Sequence, residues 1–417
     1  MAGLLSKRNR TRTTLLASAL GATFLLSACG SSTTDAADAT NTGDCTPSQG
    51  VTADAVKVGI IFPQSGPAAA TFSEFDRAAQ LRFKEENDKG GVNGRQIIAT
   101  VYDDKSDGAT QVTVANKALL SDKVFGIVAA SQADTMYPEL NRQNVPTTGL
   151  SSLPPYGTDL NTFGFNGSFT GNYLSTAAAE RFAVDGTNDI AVVSHSSPGA
   201  RSSASGFLAT APTAGLNEAV SINDMPVGTF DATAMALKIK QSGANGVYSI
   251  SLIESGISLL SALKQQGVTI DTFMMALLSS PEYVASSNGL LEGVIGAPSG
   301  FKPLMIQDES VQSYVSAMEA AGYDPYVAFA PIGYMSADLM IRGLQEAGTC
   351  VTKENFVNNL RQVTDYSGAG LGVAPVSYQP GVNPTGDPSK CAWFVTVLND
   401  TLVPDAAATC GELIATS

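Results

Sequence analysis

The run KGGVNGRQIIATVYDDKSDG (89–108) gathers glycines, an arginine, a tyrosine and three aspartates in one stretch. Three chemistries use such residues. A phosphate-cradling loop needs Gly-x-x-x-x-Gly-Lys-Ser/Thr, and the chain contains no Gly-Lys pair. A dinucleotide loop sits between a first strand and its helix, whereas Gly90, Gly91 and Gly94 follow a helical pattern and precede a strand. An EF-hand begun at Asp103 would put Lys105 third and Val114 twelfth, where calcium requires carboxylates. What remains is punctuation: a helix stop, an Asn93-Gly94 turn, a strand, and Asp or Ser residues to cap the next helix.

Other nucleophile and base candidates meet the same end. His195 is the single histidine, closing the strand pattern IAVVS, and no Gly-x-Ser-x-Gly elbow accompanies it. Ser261-Ala-Leu-Lys264 has a Ser-x-x-Lys form but lies in an amphipathic helix pattern without companion motifs. The reading is therefore a binding protein, with no enzyme activity, no cofactor and no metal. His195 is expected as a ligand-contact or surface group. In open α/β sheets, ligands sit beyond the carboxyl ends of strands. That rule nominates Ser65, Ala130, Ser131, Gln132, Ser151 and Ser152, whose hydroxyls and backbone amides suit a hydrogen-bond acceptor such as a carboxylate. Capping of the following helices is the competing role for each serine.

The elements that must position these groups alternate along the chain. VKVGIIF (56–62), RQIIATVY (95–102), VFGIVA (124–129) and VPTTGL (145–150) read as strands, with helices over 72–87 and 108–122 between them. After residue 160 the pattern restarts: FGFN (163–166), IAVVS (190–194), GVYSI (246–250), FMMAL (273–277) and VIGA (294–297) are strands, 254–267 is a helix, and a last strand falls at 392–398. Such alternation makes parallel sheets with right-handed crossovers. Two such units in series match a length beyond what one core supports.

The ends address the chain to a compartment. Lys7, Arg8, Arg10 and Arg12 precede an apolar run from Leu15 to Leu26, and Leu26-Ser27-Ala28-Cys29 follows. A charged start, a short apolar stretch and small residues at a cut site make an export leader, here 1–28. The Leu-Ser-Ala-Cys order resembles the bacterial lipobox, which implies lipidation of Cys29. Residues 29–55 are small and polar, a tether of roughly 30 Å mean reach. Losing 1–28 removes four cations and no acids, taking the formal charge from −14 to −18, which excludes nucleic acid and adhesion to anionic lipid as partners. Four cysteines remain: Cys45, Cys350, Cys391 and Cys410. Of three possible pairings, Cys350–Cys391 with Cys45–Cys410 is the one expected.

VKVGIIFPQSGPAAA, NDKGGVNGRQIIATVYDDKSDGATQVTVANKALLSDKVFGIVA and VPTTGL closely resemble the first lobe of type I periplasmic binding proteins. The branch is the leucine/isoleucine/valine-binding family serving ABC importers, and the likeness runs from about 56 to 400, densest over 56–150. The resemblance implies two doubly wound parallel-sheet α/β lobes joined by three crossovers, placed near 166–169, 297–300 and 373–377. It implies one lobe of 56–167 plus 298–375 and another of 168–297 plus 376–417. The implied partners are a small-molecule ligand and separate permease subunits, with the chain itself monomeric and tied to the outer membrane face only by its lipid. A sensory module of the same fold is the alternative. In the family, first-lobe hydroxyls and amides hold a carboxylate, matched here by Ala130-Ser131 and Ser151-Ser152. The acidic ammonium partner falls at Leu277, and an expected aromatic at Leu252 or Ile253. Glu254 is the nearest substitute acid. Phe72, His195, Arg201 and Tyr248 complete the candidate contacts, and a small organic acid or amide becomes as good a ligand as an amino acid.

Overall fold

The computed structural model describes residues 45–166, 173–183, 186–297 and 300–415. The leader, Cys29 and the tether up to residue 44 lie outside the described residues, as do 167–169 and 298–299 of the first two expected crossings.

Along β1 (Ala55–Phe62) the side chains alternate between two cores. Val58, Ile60 and Phe62 face one side of the sheet, where the helix Phe75–Asp88 brings Phe75, Ala79 and Phe83 and the helix Phe329–Glu346 brings Ile332 and Leu339. Ile61 faces the other, against Leu119, Leu140 and Tyr156. A strand buried on both faces reads as a near-continuous apolar run, as VKVGIIF does apart from the exposed Lys57. With β2 (Gln96–Asp103), β3 (Gly126–Ala129), β4 (Thr147–Gly149) and β5 (Thr162–Gly164) it forms a parallel sheet in the order β2-β1-β3-β4-β5.

The 89–108 run is scaffold. Asn93 and Gly94 both take positive φ in a turn bridged by Val92 and Arg95, and Asp107 caps the helix Gly108–Asn116 through the Thr110 amide at 2.8 Å. Asp104 is buried and accepts from the Ser106 amide at 2.9 Å and from Gln111 at 3.0 Å.

After β6 (Tyr173–Ser175), the second sheet contains β7 (Asp189–His195), β8 (Asn217–Met225), β9 (Gly246–Ile250), β10 (Thr272–Ala276) and β11 (Ile295–Ala297), all parallel, in the order β11-β10-β9-β7-β8. The chain then leaves for the long helix Phe329–Glu346 on the first sheet and returns. Of its returning strands β12 (Cys391–Ala392), β13 (Val395–Leu398), β14 (Thr401–Pro404), β15 (Thr409–Cys410) and β16 (Leu413–Ala415), β13 and β14 extend the second sheet antiparallel. One face of this sheet packs Val193, Val247 and Met275 against Ile239, Leu259 and Leu263. The other packs Ile190, Val192 and Ile250 against Phe182, Phe207 and Phe394. The result is a two-lobe α/β fold of doubly wound sheets.

The expected cysteine pairing is wrong. The disulfides are Cys45–Cys350, with Cα atoms 5.8 Å apart, and Cys391–Cys410. Cys391 stands opposite Cys410 in the antiparallel pair β12–β15, so their side chains share one face. Cys45 meets Cys350 because the next turn of chain docks beside it, the Ser48 amide donating to the Val351 carbonyl at 3.1 Å.

Candidate ligand-binding cavity

A cavity of about 240 Å³ opens between the lobes and is lined by residues of both. It brings together Phe72, Ser131, Gln132, Ser152, His195, Tyr248 and Leu277 from the expected set, and Leu252 with them. Ser65, Ala130, Ser151, Ile253, Arg201 and Glu254 are not in its lining. Five of these six exclusions have a local cause. The Ser65 hydroxyl is turned to the end of β2, donating to Asp103 at 2.6 Å. Ala130 is held beneath the surface by its amide, which donates to the Ile61 carbonyl. Ser151 is fully buried and donates to Asn166 Oδ1 at 2.9 Å. Arg201 bonds the Asn223 carbonyl.

Glu254 fails as the replacement acid. It sits on the first turn of the helix Ile253–Gln265. There it accepts from the Tyr283 hydroxyl at 2.6 Å and from the Thr71 hydroxyl of the other lobe at 3.4 Å. It bridges elements rather than facing the cavity.

No Asp, Glu, Lys or Arg lines the cavity among the described residues, and the undescribed segments 167–172 and 298–299 contain none in their sequence. Phe72 and Phe329 form an aromatic wall, their rings stacked with centroids 3.8 Å apart. Tyr248 packs edge-on against Phe207 at 4.8 Å, and burial pushes its hydroxyl up to about 12, so it stays protonated. Leu277 holds a left-handed backbone, φ 67°, a conformation costly for a branched side chain and one that clusters at functional sites.

The polar groups divide into engaged and free. Ser131 is engaged: its hydroxyl accepts from the Ala133 amide at 3.1 Å and hydrogen-bonds the buried Asp104, whose carboxyl burial raises. Asn166, at the end of β5, has Oδ1 taken by Ser151 while its buried Nδ2 lacks a partner. Gly300 must be glycine here, since a Cβ on it would fall 1.9 Å from that nitrogen and its φ is 80°. His195 is 1% exposed; its Nδ1 lies 3.3 Å from the Met225 carbonyl and its Nε2 has no partner. Burial lowers its pKa, so the ring is neutral at pH 7.

Sequence reasoning missed part of this wall. Asn166 was visible only as the end of a strand. The helix Pro198–Thr210 contributes Gly199, Ser203, Gly206 and Thr210, spaced four, three and four apart along one face. The C-terminal segment contributes Cys391, Ala392 and Phe394. The helical spacing of small residues was the available signal; nothing in the sequence announced the C-terminal contribution.

The family model described as periplasmic binding protein matches residues 55–401. The leucine-, isoleucine-, valine-, threonine- and alanine-binding protein of Pseudomonas aeruginosa is 27% identical over 311 residues, 72% of this chain and 81% of that one. The structure of a branched-chain amino acid ABC transporter from Thermus thermophilus with bound valine aligns with TM-score 0.74 and 16% identity, covering 86% of this chain and 97% of the other. The solute-binding protein of an ABC transporter from R. palustris in complex with benzoate aligns with TM-score 0.68 and 16% identity, over 86% and 97%. These two share the fold. No helix among the described residues is long and apolar enough to cross a membrane. With a two-lobe fold, an interlobe cavity and a family match over most of its length, the chain belongs to the periplasmic binding protein family, whose members bind solutes and are not enzymes.

Proposed function

We propose that this chain is the extracytoplasmic solute receptor of an ABC importer. It is exported by the leader 1–28, lipidated at Cys29 and held off the membrane by the tether to residue 55. Lobes of 56–167 plus 298–375 and 168–297 plus 376–417 capture a small organic solute between them and deliver it to separate permease subunits. Capture by two lobes stabilises their approach, because only the approached state makes contacts with both sides of the ligand.

The observation that carries this reading is the interlobe cavity, apolar over most of its wall and without a charged side chain among the described residues. An ammonium buried there would lack a counter-charge, at a cost of several kcal/mol. The solute is therefore recognised without an ammonium contact. Titration calorimetry of the full chain against leucine, valine, phenylalanine and their deaminated acids tests this. The deaminated compounds should bind at least tenfold tighter. Tight binding of the amino acids alone would sink the claim about the ammonium and leave the receptor role standing.

A further inference from the structure

The cavity is deeper than a cleft between two lobes requires. Beyond Phe72 and Ser152 it continues into the second lobe, on the sheet face that carries Ile190, Val192 and Ile250. That face is covered by the helices Ala177–Ala183 and Pro198–Thr210, which are built largely of Ala, Gly and Ser. Ala178, Ala200 and Gly206 of these helices line the space from one side, and Tyr248 and Ala297 of the sheet line it from the other. Protein interiors are otherwise filled to crystal-like density, so an apolar space left by a run of small residues is a feature to be explained.

Its remaining wall comes from the C-terminal segment. Ala392 and Phe394 line the space, and the segment is fixed in place three ways. The Cys391–Cys410 disulfide staples β12 to β15. β16 pairs antiparallel with β6, beside the lining residues Leu174 and Ser175. The Ser175 hydroxyl donates to the Lys390 carbonyl at 2.7 Å. Two of the lining residues carry a buried polar atom without a partner, a donor at Asn166 Nδ2 and an acceptor at His195 Nε2.

We infer that the ligand is amphipathic: an uncharged apolar chain or ring fills this second-lobe chamber, and one neutral head, a carboxamide or an alcohol, sits at its mouth. The head accepts a hydrogen bond from Asn166 and donates one to neutral His195. The C-terminal segment, as the chamber wall, sets how long the apolar part can be. This rests on the receptor reading of the cavity and names its substrate class.

The test is a chain-length series. Straight-chain primary amides from butanamide to decanamide are titrated against the full chain by calorimetry, beside leucine and 4-methylpentanoic acid. Affinity should rise roughly three- to fourfold per added methylene, the value of burying each one, until the chamber is full. The variants A178F and A392F, at partly exposed lining positions, should abolish the gain, so that affinity no longer rises with chain length among the longer amides. If either variant fails to fold, the wild-type series decides alone. A flat series, or binding of leucine or the acid without any amide, overturns the chamber while the receptor reading stands. No binding by any of these compounds overturns both.

Discussion

His195 Nδ1 lies 3.3 Å from the carbonyl oxygen of Met225. A carbonyl only accepts, so the bond requires the proton on Nδ1 and, in a neutral ring, leaves Nε2 as a bare acceptor. Burial lowers the pKa of this group, so the free protein keeps it neutral down to a pH below 6.5, its ordinary value. Protonation turns the acceptor into a donor. Ligand affinity should thus be constant from pH 8 to 6.5 and fall as the pH drops through the lowered pKa. The stability consequence has the same sign: below 6.5 the unfolded chain binds the proton first, so stability from this group is present above 6.5 and declines with acid. His195→Phe should weaken binding roughly tenfold at pH 7.5, the worth of one hydrogen bond, and flatten the profile. Calorimetry on both proteins from pH 8 downward, with the imidazole titration followed by NMR on the same samples, checks it; a wild-type affinity that stays unchanged while the ring becomes protonated would refute it.

Much of the framework was legible because both faces of β1 and β3 are buried, so their sequences are short, near-continuous apolar runs rich in β-branched residues, broken in β1 only by exposed Lys57. The helices over the second-lobe chamber were not. Pro198–Thr210 and Ala177–Ala183 owe their function to small side chains, and alanine, serine and glycine give little contrast between a buried and an exposed face. The same limit applied to the polar groups. Ser131 has the residue type and strand-end position of a ligand contact, but its hydroxyl is engaged with Asp104 and the Ala133 amide, a partnership created only when β2 and β3 fold on either side of β1. The cysteines fail for a related reason: spacing along the chain does not encode which strands align.

Leu277 occupies the position where the resemblance expects an acid, and its φ of 67° is one that aspartate tolerates better than leucine. Leu277→Asp should relieve backbone strain and place a carboxylate in the cavity. A charge-assisted bond to a ligand ammonium contributes about 1.5–3 kcal/mol. The variant should therefore gain roughly ten- to a hundredfold in affinity for leucine while losing affinity for the deaminated acid, which it repels. Calorimetry with the pair reads both changes, and an unaltered preference would show that residue 277 does not face the ligand head.

The two disulfides should differ in what they protect. Cys45–Cys350 joins residues 305 apart and anchors the start of the folded chain beside the end of the helix Phe329–Glu346. Its loss is expected to cost about 2–5 kcal/mol of global stability. Cys391–Cys410 spans 19 residues beside the cavity. Its loss should cost about 3 kcal/mol or less, and it should also weaken ligand binding, since Cys391 lines the wall. Thermal unfolding and calorimetry of the double serine variants C45S/C350S and C391S/C410S separate the effects. Peptide mapping under non-reducing conditions should recover only these two linkages.

Gly199, in the first turn of the helix Pro198–Thr210, packs against Ser152 and Leu153 of the other lobe. A Cβ at this position would stand 3.0 Å from Ser152 Oγ and 3.5 Å from the Ser152 carbonyl, both on the opposite lobe. A methyl is accommodated by a shift of the serine hydroxyl; a branched side chain also meets the backbone and holds the lobes apart. Overpacking of this kind costs about 1–3 kcal/mol, but here the strain is avoided whenever the lobes separate. Gly199→Val should therefore leave the melting temperature of the unliganded protein within a few degrees and weaken ligand binding roughly tenfold or more. Small-angle scattering with saturating ligand should show a larger radius of gyration than the wild type. A drop in melting temperature with normal affinity would mean that Gly199 serves its own helix and not the approach of the lobes.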